Sequence, residues 1–439
     1  MTDYDNKKLT QDLIDFITES PSRFHAAQAI TRRLDEAGFI RLQESSLWTL
    51  ASGGKYYAVR GGSSVIAFCI PEKEDFSGFN ICASHSDFPC FQIKEIGELV
   101  RAEYTAINTE SYGSAILSSW LDRPLSAAGR LICRCDNGIE TRLVDIDRDL
   151  LLIPNVAPHM NKKINSGYEY NLAVDMAPLF SLGKPEGKLS RIIADAAGVD
   201  EGDILGADLF VYNRTPASVW GADNEFFSSR SIDNLQCTYA SLRGFLSSAL
   251  RENCAVWCCF DNEEVGSSTK QGAASDLLYD TLRRISARDD EEKFYVRLAS
   301  SFLLSCDNAH ALHPNHPEYS DPSNRVVMGE GVVLKFNSNK RYTTDGISEA
   351  FIKHLCKEQD IPLQFFANRS DISGGSTLGG IASTRVSINS ADVGLAQLAM
   401  HSSYETASTS DTSAMARLCE AFYSSGLIAT GHEHYLFIK

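Results

Sequence analysis

The chain has 439 residues, 43% of them hydrophobic and 22% charged, enough to bury a large core and more than one average domain needs. Its 41 basic and 57 acidic residues leave a formal charge of −16, which argues against nucleic acid or an anionic membrane as partner unless a local basic patch overrides it, and no such patch is present. The first residues lack the apolar stretch of a secretory leader, and no apolar run approaches the roughly 18 residues of a membrane span, so a soluble protein is expected.

In chain order, residues 7–38 predict two helices broken at Ser20-Pro21-Ser22, the second with Phe24, Ala27, Ile30, Leu34 and Ala37 at helical spacing. Strands are expected at 56–59, 64–70 and 79–83. From 93 to 230 the texture changes to short strand candidates, such as 130–135 and 141–145, separated by turn residues and a polar segment at 161–171. This stretch reads as an inserted β-rich domain that divides a catalytic domain into residues 1–92 and 231–439. Beyond it come strands at 255–260, 301–305, 332–336 and 384–388, with helices at 230–247 and 409–423. Strands alternating with helices predict an α/β fold in which a mixed, mostly parallel sheet is sandwiched by helices.

The twelve cysteines offer no pair of C-x-x-C motifs for a thiolate zinc site. Most sit in apolar runs such as Val256-Trp257-Cys258-Cys259-Phe260, where a thiol acts as a small hydrophobe. Free thiols predict a reducing, cytoplasmic location.

Five segments carry chemistry in the same way: an apolar strand-like run ends in metal ligands or proton-transfer groups. They are Ala83-Ser84-His85-Ser86-Asp87, Ser231-Ile232-Asp233-Asn234, Phe260-Asp261-Asn262-Glu263-Glu264, Ser305-Cys306-Asp307-Asn308-Ala309-His310 and Ala399-Met400-His401-Ser402. Any one alone is ordinary turn chemistry. Two adjacent carboxylates after a buried strand are different, because they repel unless a cation or a proton compensates them. Together the segments supply imidazoles and carboxylates that suit a two-metal hydrolytic site, with Mn or Co as well as Zn compatible.

The same residues resemble the aspartyl aminopeptidase family of co-catalytic dizinc exopeptidases. Eight segments match in order: His85-Ser86-Asp87-Phe88-Pro89-Cys90, Ser231-Ile232-Asp233-Asn234-Leu235, Asp261-Asn262-Glu263-Glu264-Val265-Gly266-Ser267, Asp307-Asn308-Ala309-His310-Ala311-Leu312-His313-Pro314-Asn315, Val333-Leu334-Lys335-Phe336-Asn337, Arg341-Tyr342, Gly375-Ser376-Thr377-Leu378-Gly379 and Gln397-Leu398-Ala399-Met400-His401-Ser402. The resemblance implies two zinc ions per subunit, with Asp233 shared, His85 and Asp307 completing one ligand set, and Glu264 and His401 the other. It implies Glu263 as general base and Asp87 as the acceptor of the His85 ring N–H. His310 and His313 are read as structural, and His25, His316, His354, His432 and His434 as surface or packing residues.

The family preference for amino-terminal Asp or Glu implies that Lys335 pairs with the substrate side chain. His159 is similar to a histidine that the family inserts into a neighbouring subunit's site. The insert would then be a dimerisation domain, and the assembly a homo-oligomer, in the family a dodecamer built from dimers. The expected substrates are peptides with a free amino terminus. Rival readings are a neutral or broad-specificity aminopeptidase, a dizinc amidohydrolase or deacylase, and a non-catalytic peptide-binding scaffold.

Overall fold

The computed structural model describes residues 2, 4–73, 75–184, 186–249, 253–431 and 434–438. His432 lies outside them. Its spine is a sheet of thirteen strands in which Cys254–Phe260, Phe79–His85, Phe302–Cys306 and Asn389–Leu398 run side by side and parallel. Ser64–Cys69, Lys55–Arg60 and Ile40–Leu42 extend one flank, while Glu405–Ser408, Phe226–Ser229 and Ser218–Trp220 extend the other. Val332–Phe336 pairs antiparallel to Asn389–Leu398 and parallel to Leu363–Ala367, so the sheet is mixed about a parallel centre.

The period of two along each central strand builds two apolar layers. Phe79, Ile81 and Ala83, with Val256, Cys258 and Phe260, face a core shared with Leu277, Leu278, Leu282, Phe294, Leu378 and Ala382. The alternating positions, Cys82, Ala255, Trp257, Cys259, Leu304 and Cys306, pack against helices Asn6–Thr18, Ile232–Ser247 and Asp411–Tyr423 through residues such as Phe16, Tyr239 and Phe422. Strands covered on both faces read as continuous apolar runs, which is how 255–260 stands out in the sequence.

A second sheet is wholly antiparallel, six strands in the order Gly138–Asp145, Leu125–Cys135, Ile204–Asn213, Cys90–Arg101, Tyr104–Tyr112, Leu179–Leu182. It takes up the chain between Cys90 and Asn213, whereas Ser218–Trp220 and Phe226–Ser229 return to the large sheet. The fold is thus mixed α/β with a separate antiparallel sheet.

One expected strand is displaced. Residues 384–388 look β-branched, but helix Leu378–Arg385 covers the first of them and the strand begins at Asn389. Packing decides this, since Leu378 and Ala382 are buried one helical turn apart in the layer beneath the sheet. Among the described residues no helix is long and apolar enough to cross a membrane.

Candidate metal centre

The four parallel strands end at one edge, and the chemistry-bearing residues lie on or just beyond those ends. Phe260 and His85 are register partners, so Glu263 and Glu264 leave the sheet beside the imidazole. Asp307 follows strand Phe302–Cys306, and His401 follows Asn389–Leu398. Asp233 comes from another direction, the distorted first turn of helix Ile232–Ser247.

The backbone bends sharply to deliver these groups. Ser231 (φ 56°), Asn262 (φ 63°) and His401 (φ 70°) all adopt the left-handed conformation that side chains with a Cβ disfavour. Two glycines make room. A Cβ on Gly113 would meet the Cβ of Glu264 at 3.2 Å, and one on Gly394 would collide with the Asp307 carbonyl and crowd Lys335.

The side chains converge. His85 Nε2 lies 3.7 Å from Asp233 Oδ1 and 3.5 Å from Asp307 Oδ1. His401 Nε2 lies 3.4 Å from Asp233 Oδ2 and 3.5 Å from Glu264 Oε2. Asp233 therefore stands between two three-residue groups, His85 with Asp307 and His401 with Glu264, each with ligand atoms within 4.8 Å of one another. Glu263 joins His85 and Glu264 in a third such group.

The electrostatics mark the place for a cation. Burial pushes the Glu263 carboxyl up to about 8, with Asp307, Asp87 and Asp233 adding to the shift against His85. Burial and the charge of Asp233 hold Glu264 well above the ordinary carboxylate range. Asp233 Oδ1 is buried without a hydrogen-bond partner among the described residues. Converging carboxylates, two imidazoles and an unsatisfied buried oxygen fit divalent zinc.

Asp87 and Lys335 lie beside these groups. His85 Nδ1 donates to the backbone carbonyl of Asp87 at 3.1 Å, and the Asp87 carboxylate stands 3.5 Å away. That carboxylate also accepts the backbone N–H groups of Glu263 and Glu264, both at 3.1 Å, and so holds the turn that carries them. Lys335 is buried, 2% exposed, and its Nζ donates to the Asn308 carbonyl at 2.7 Å and lies 3.9 Å from Asp307 Oδ2. Burial works against its charge, yet Asp307 and Tyr342 leave its pKa raised. His159 is exposed, and among the described residues it belongs to none of the ligand groups; the same holds for His310 and His313.

Comparison with known proteins agrees with this geometry. Residues 16–423 match the family described as Aminopeptidase I zinc metalloprotease (M18). The chain belongs to the M18 aminopeptidase family. It is a zinc metallo-aminopeptidase, a hydrolase of the exopeptidase class. It is 41% identical over 427 residues to a probable M18 family aminopeptidase 2 of Clostridium novyi (strain NT), covering 95% of this chain and 99% of that one. Among solved structures it is similar to Ape4 in the complex of Ape4 and Nbr1, with TM-score 0.92, 31% identity and coverage of 95% and 86%. The mApe1 dodecamer of S. cerevisiae shares the fold at TM-score 0.84 and 24% identity, covering 96% and 97%.

Within this M18 site, Glu405 escapes a sequence reading. Buried in strand Glu405–Ser408, it accepts the backbone N–H of Asp233 at 3.0 Å and of His401 at 2.8 Å, tying the turns of these two residues together. Its only sequence signal is an acid among Ser, Thr and Ala, which is too common to single out. Three cysteines also meet: Cys82, Cys306 and Cys419 are fully buried with sulfurs within 4.8 Å, though no local spacing links them.

Proposed function

We propose that this M18 aminopeptidase removes single residues, preferentially Asp and Glu, from the free amino end of peptides, using two zinc ions and Glu263 as general base. The observation that carries the reading is the pair of ligand groups sharing Asp233, with Glu263 next to a member of each, His85 and Glu264. Asp233, His85 and Asp307 would hold one ion, and Asp233, Glu264 and His401 the other. Mn or Co suits the same donors. Zinc, when bound, acidifies a water and polarises the scissile carbonyl.

The chain's own residues do the rest. Glu263 takes the proton of the attacking water on its carboxylate and hands it to the departing amine. Its carboxylate stands beside His85 and Glu264, a member of each ligand group, and so is close to both without belonging to either set. Asp87 keeps the Glu263-Glu264 turn in place through the two backbone N–H bonds. Lys335, a buried cation beside Asp307, supplies positive charge for an acidic side chain on the first residue.

In the proposed assembly, a dimer-based dodecamer, the exposed His159 reaches the site of a neighbouring subunit from the inserted segment, whose own sheet spans residues 90–213. The catalytic segments, expected at 1–92 and 231–439, then form one body around the large sheet, to which strands Ser218–Trp220 and Phe226–Ser229 also belong. A cytoplasmic setting is supported by twelve free cysteines, all but Cys135 buried.

Glu263→Gln tests the mechanism. The variant is expected to retain its zinc and lose about 10²- to 10⁴-fold in kcat, the usual worth of general-base catalysis. Turnover close to that of the unaltered enzyme would overturn it.

A further inference from the structure

Asp87 is held by a side chain from the other sheet. Tyr112, the last residue of strand Tyr104–Tyr112 and buried at 8% exposure, donates its hydroxyl hydrogen to Asp87 Oδ2 at 2.7 Å. The same hydroxyl accepts from Asn262 Nδ2 at 2.9 Å, immediately before Glu263. One phenol therefore bonds both to the carboxylate that accepts the Glu263 and Glu264 N–H groups and to the residue that leads into their turn.

The phenol is itself clamped. The Arg23 guanidinium stacks 3.8 Å from the Tyr112 ring centre and 4.1 Å from that of Phe210, and Phe210 meets Tyr112 edge to face at 5.8 Å. Arg23 Nη1 pairs with Asp261 Oδ1 at 3.2 Å, and Asp261 accepts from Ser63 at 2.6 Å and from the Asn262 backbone N–H at 2.7 Å. Thr269 donates to Asn262 Oδ1 at 2.8 Å. The Tyr112 hydroxyl, the Asp87 and Asp261 carboxylates and the Asn262 side chain are all hydrogen-bonded, and the chain of bonds joins helix Arg23–Glu36, the antiparallel sheet and the Glu263-Glu264 turn. A buried network satisfied throughout has one low-energy arrangement, which is what a fixed general base requires.

We propose that Tyr112 is a positioning residue for the reaction: through Asp87 and Asn262 its hydroxyl sets the orientation of the Glu263-Glu264 turn, so that docking of the antiparallel sheet completes the catalytic geometry. This rests on the reading of Glu263 as base. Tyr112→Phe keeps the ring, its stacking on Arg23 and its contact with Phe210, and removes only the hydroxyl.

The test uses the full-length zinc enzyme and an aspartyl and a leucyl peptide. Tyr112→Phe is expected to lower kcat about 10- to 100-fold, the usual cost of losing a partner that orients a ligand group, with KM within about twofold and zinc content unchanged. Asp87→Asn breaks the same path, so Tyr112→Phe and Asp87→Asn should combine with much less than the product of their separate losses. The proposal is overturned by turnover of Tyr112→Phe within about twofold of the native value, or by multiplicative losses in the double variant. It is equally overturned if activity falls only in proportion to lost zinc or lost folded protein, which would make the role merely structural. Glu263→Gln measured alongside separates the two claims. An inactive Glu263→Gln with a normal Tyr112→Phe removes the positioning role alone, whereas an active Glu263→Gln removes the mechanism beneath both.

Discussion

Lys335 sits in strand Val332–Phe336 among buried apolar neighbours, and a buried ammonium persists only where anions and carbonyls compensate it. Asp307 and the Asn308 carbonyl do so here, so the cation is ready to meet a second carboxylate without first being desolvated. Lys335→Met keeps the length of the side chain and removes its charge. It is expected to lower kcat/KM for an aspartyl peptide about 10- to 100-fold, as for a lost charged hydrogen bond, and to change a leucyl peptide much less. An acidic preference that survives the substitution would take Lys335 out of the specificity pocket. At this scale most of the proposed ligands were legible in the sequence, since His85, Glu264, Asp307 and His401 each end or follow an apolar run, whereas Asp233 lies in the first turn of helix Ile232–Ser247. The partner of the His85 ring was not. Whether it met the Asp87 carboxylate or the Asp87 carbonyl depended on a backbone bend two residues long.

The central strands were legible because burial on both faces leaves near-continuous apolar runs with little to confuse them. The displaced strand at 384–388 marks the limit of that signal, for β-branched residues were outweighed by the apolar spacing of helix Leu378–Arg385. The opening helices add a pH dependence. His25, in helix Arg23–Glu36, has Nδ1 2.8 Å from Ser22 Oγ, and burial, with Arg230 adding and Asp145 opposing, lowers its pKa below the ordinary value. A depressed folded-state pKa means that the unfolded chain binds the proton more tightly. The contribution of His25 to stability is therefore complete above about pH 6.5 and is lost as the pH falls through the lower folded-state value. His25→Gln should melt with a shallower loss of stability than the native chain between about pH 7 and 5, and parallel melting profiles would refute this.

Across the whole molecule, two sheets from one chain enclose the centre, and a third contribution is expected from another copy. If His159 acts in a neighbouring subunit, then His159→Ala and Glu263→Gln damage different subunits' shares of the same site. Each homogeneous variant should lose about 10²-fold or more in turnover, the scale of removing one polar group from a catalytic site. Oligomers reassembled from a mixture of the two should regain activity, since some sites then combine an intact His159 with an intact Glu263. Absence of any recovery in oligomers that demonstrably contain both chains would place His159 outside its neighbour's site. The sequence by itself determined the class of chemistry, because carboxylates and imidazoles following buried strands are short-range patterns, each contained in a few adjacent residues. Only the tertiary structure decided what holds them: Glu405 beneath Asp233 and His401, and Tyr112 with Arg23 behind Asp87. Those contacts join segments that lie 25 to 238 residues apart in the chain, except the four-residue step from His401 to Glu405. The separations leave no local spacing to read, and only the packing of helices and sheets brings the groups within bonding distance.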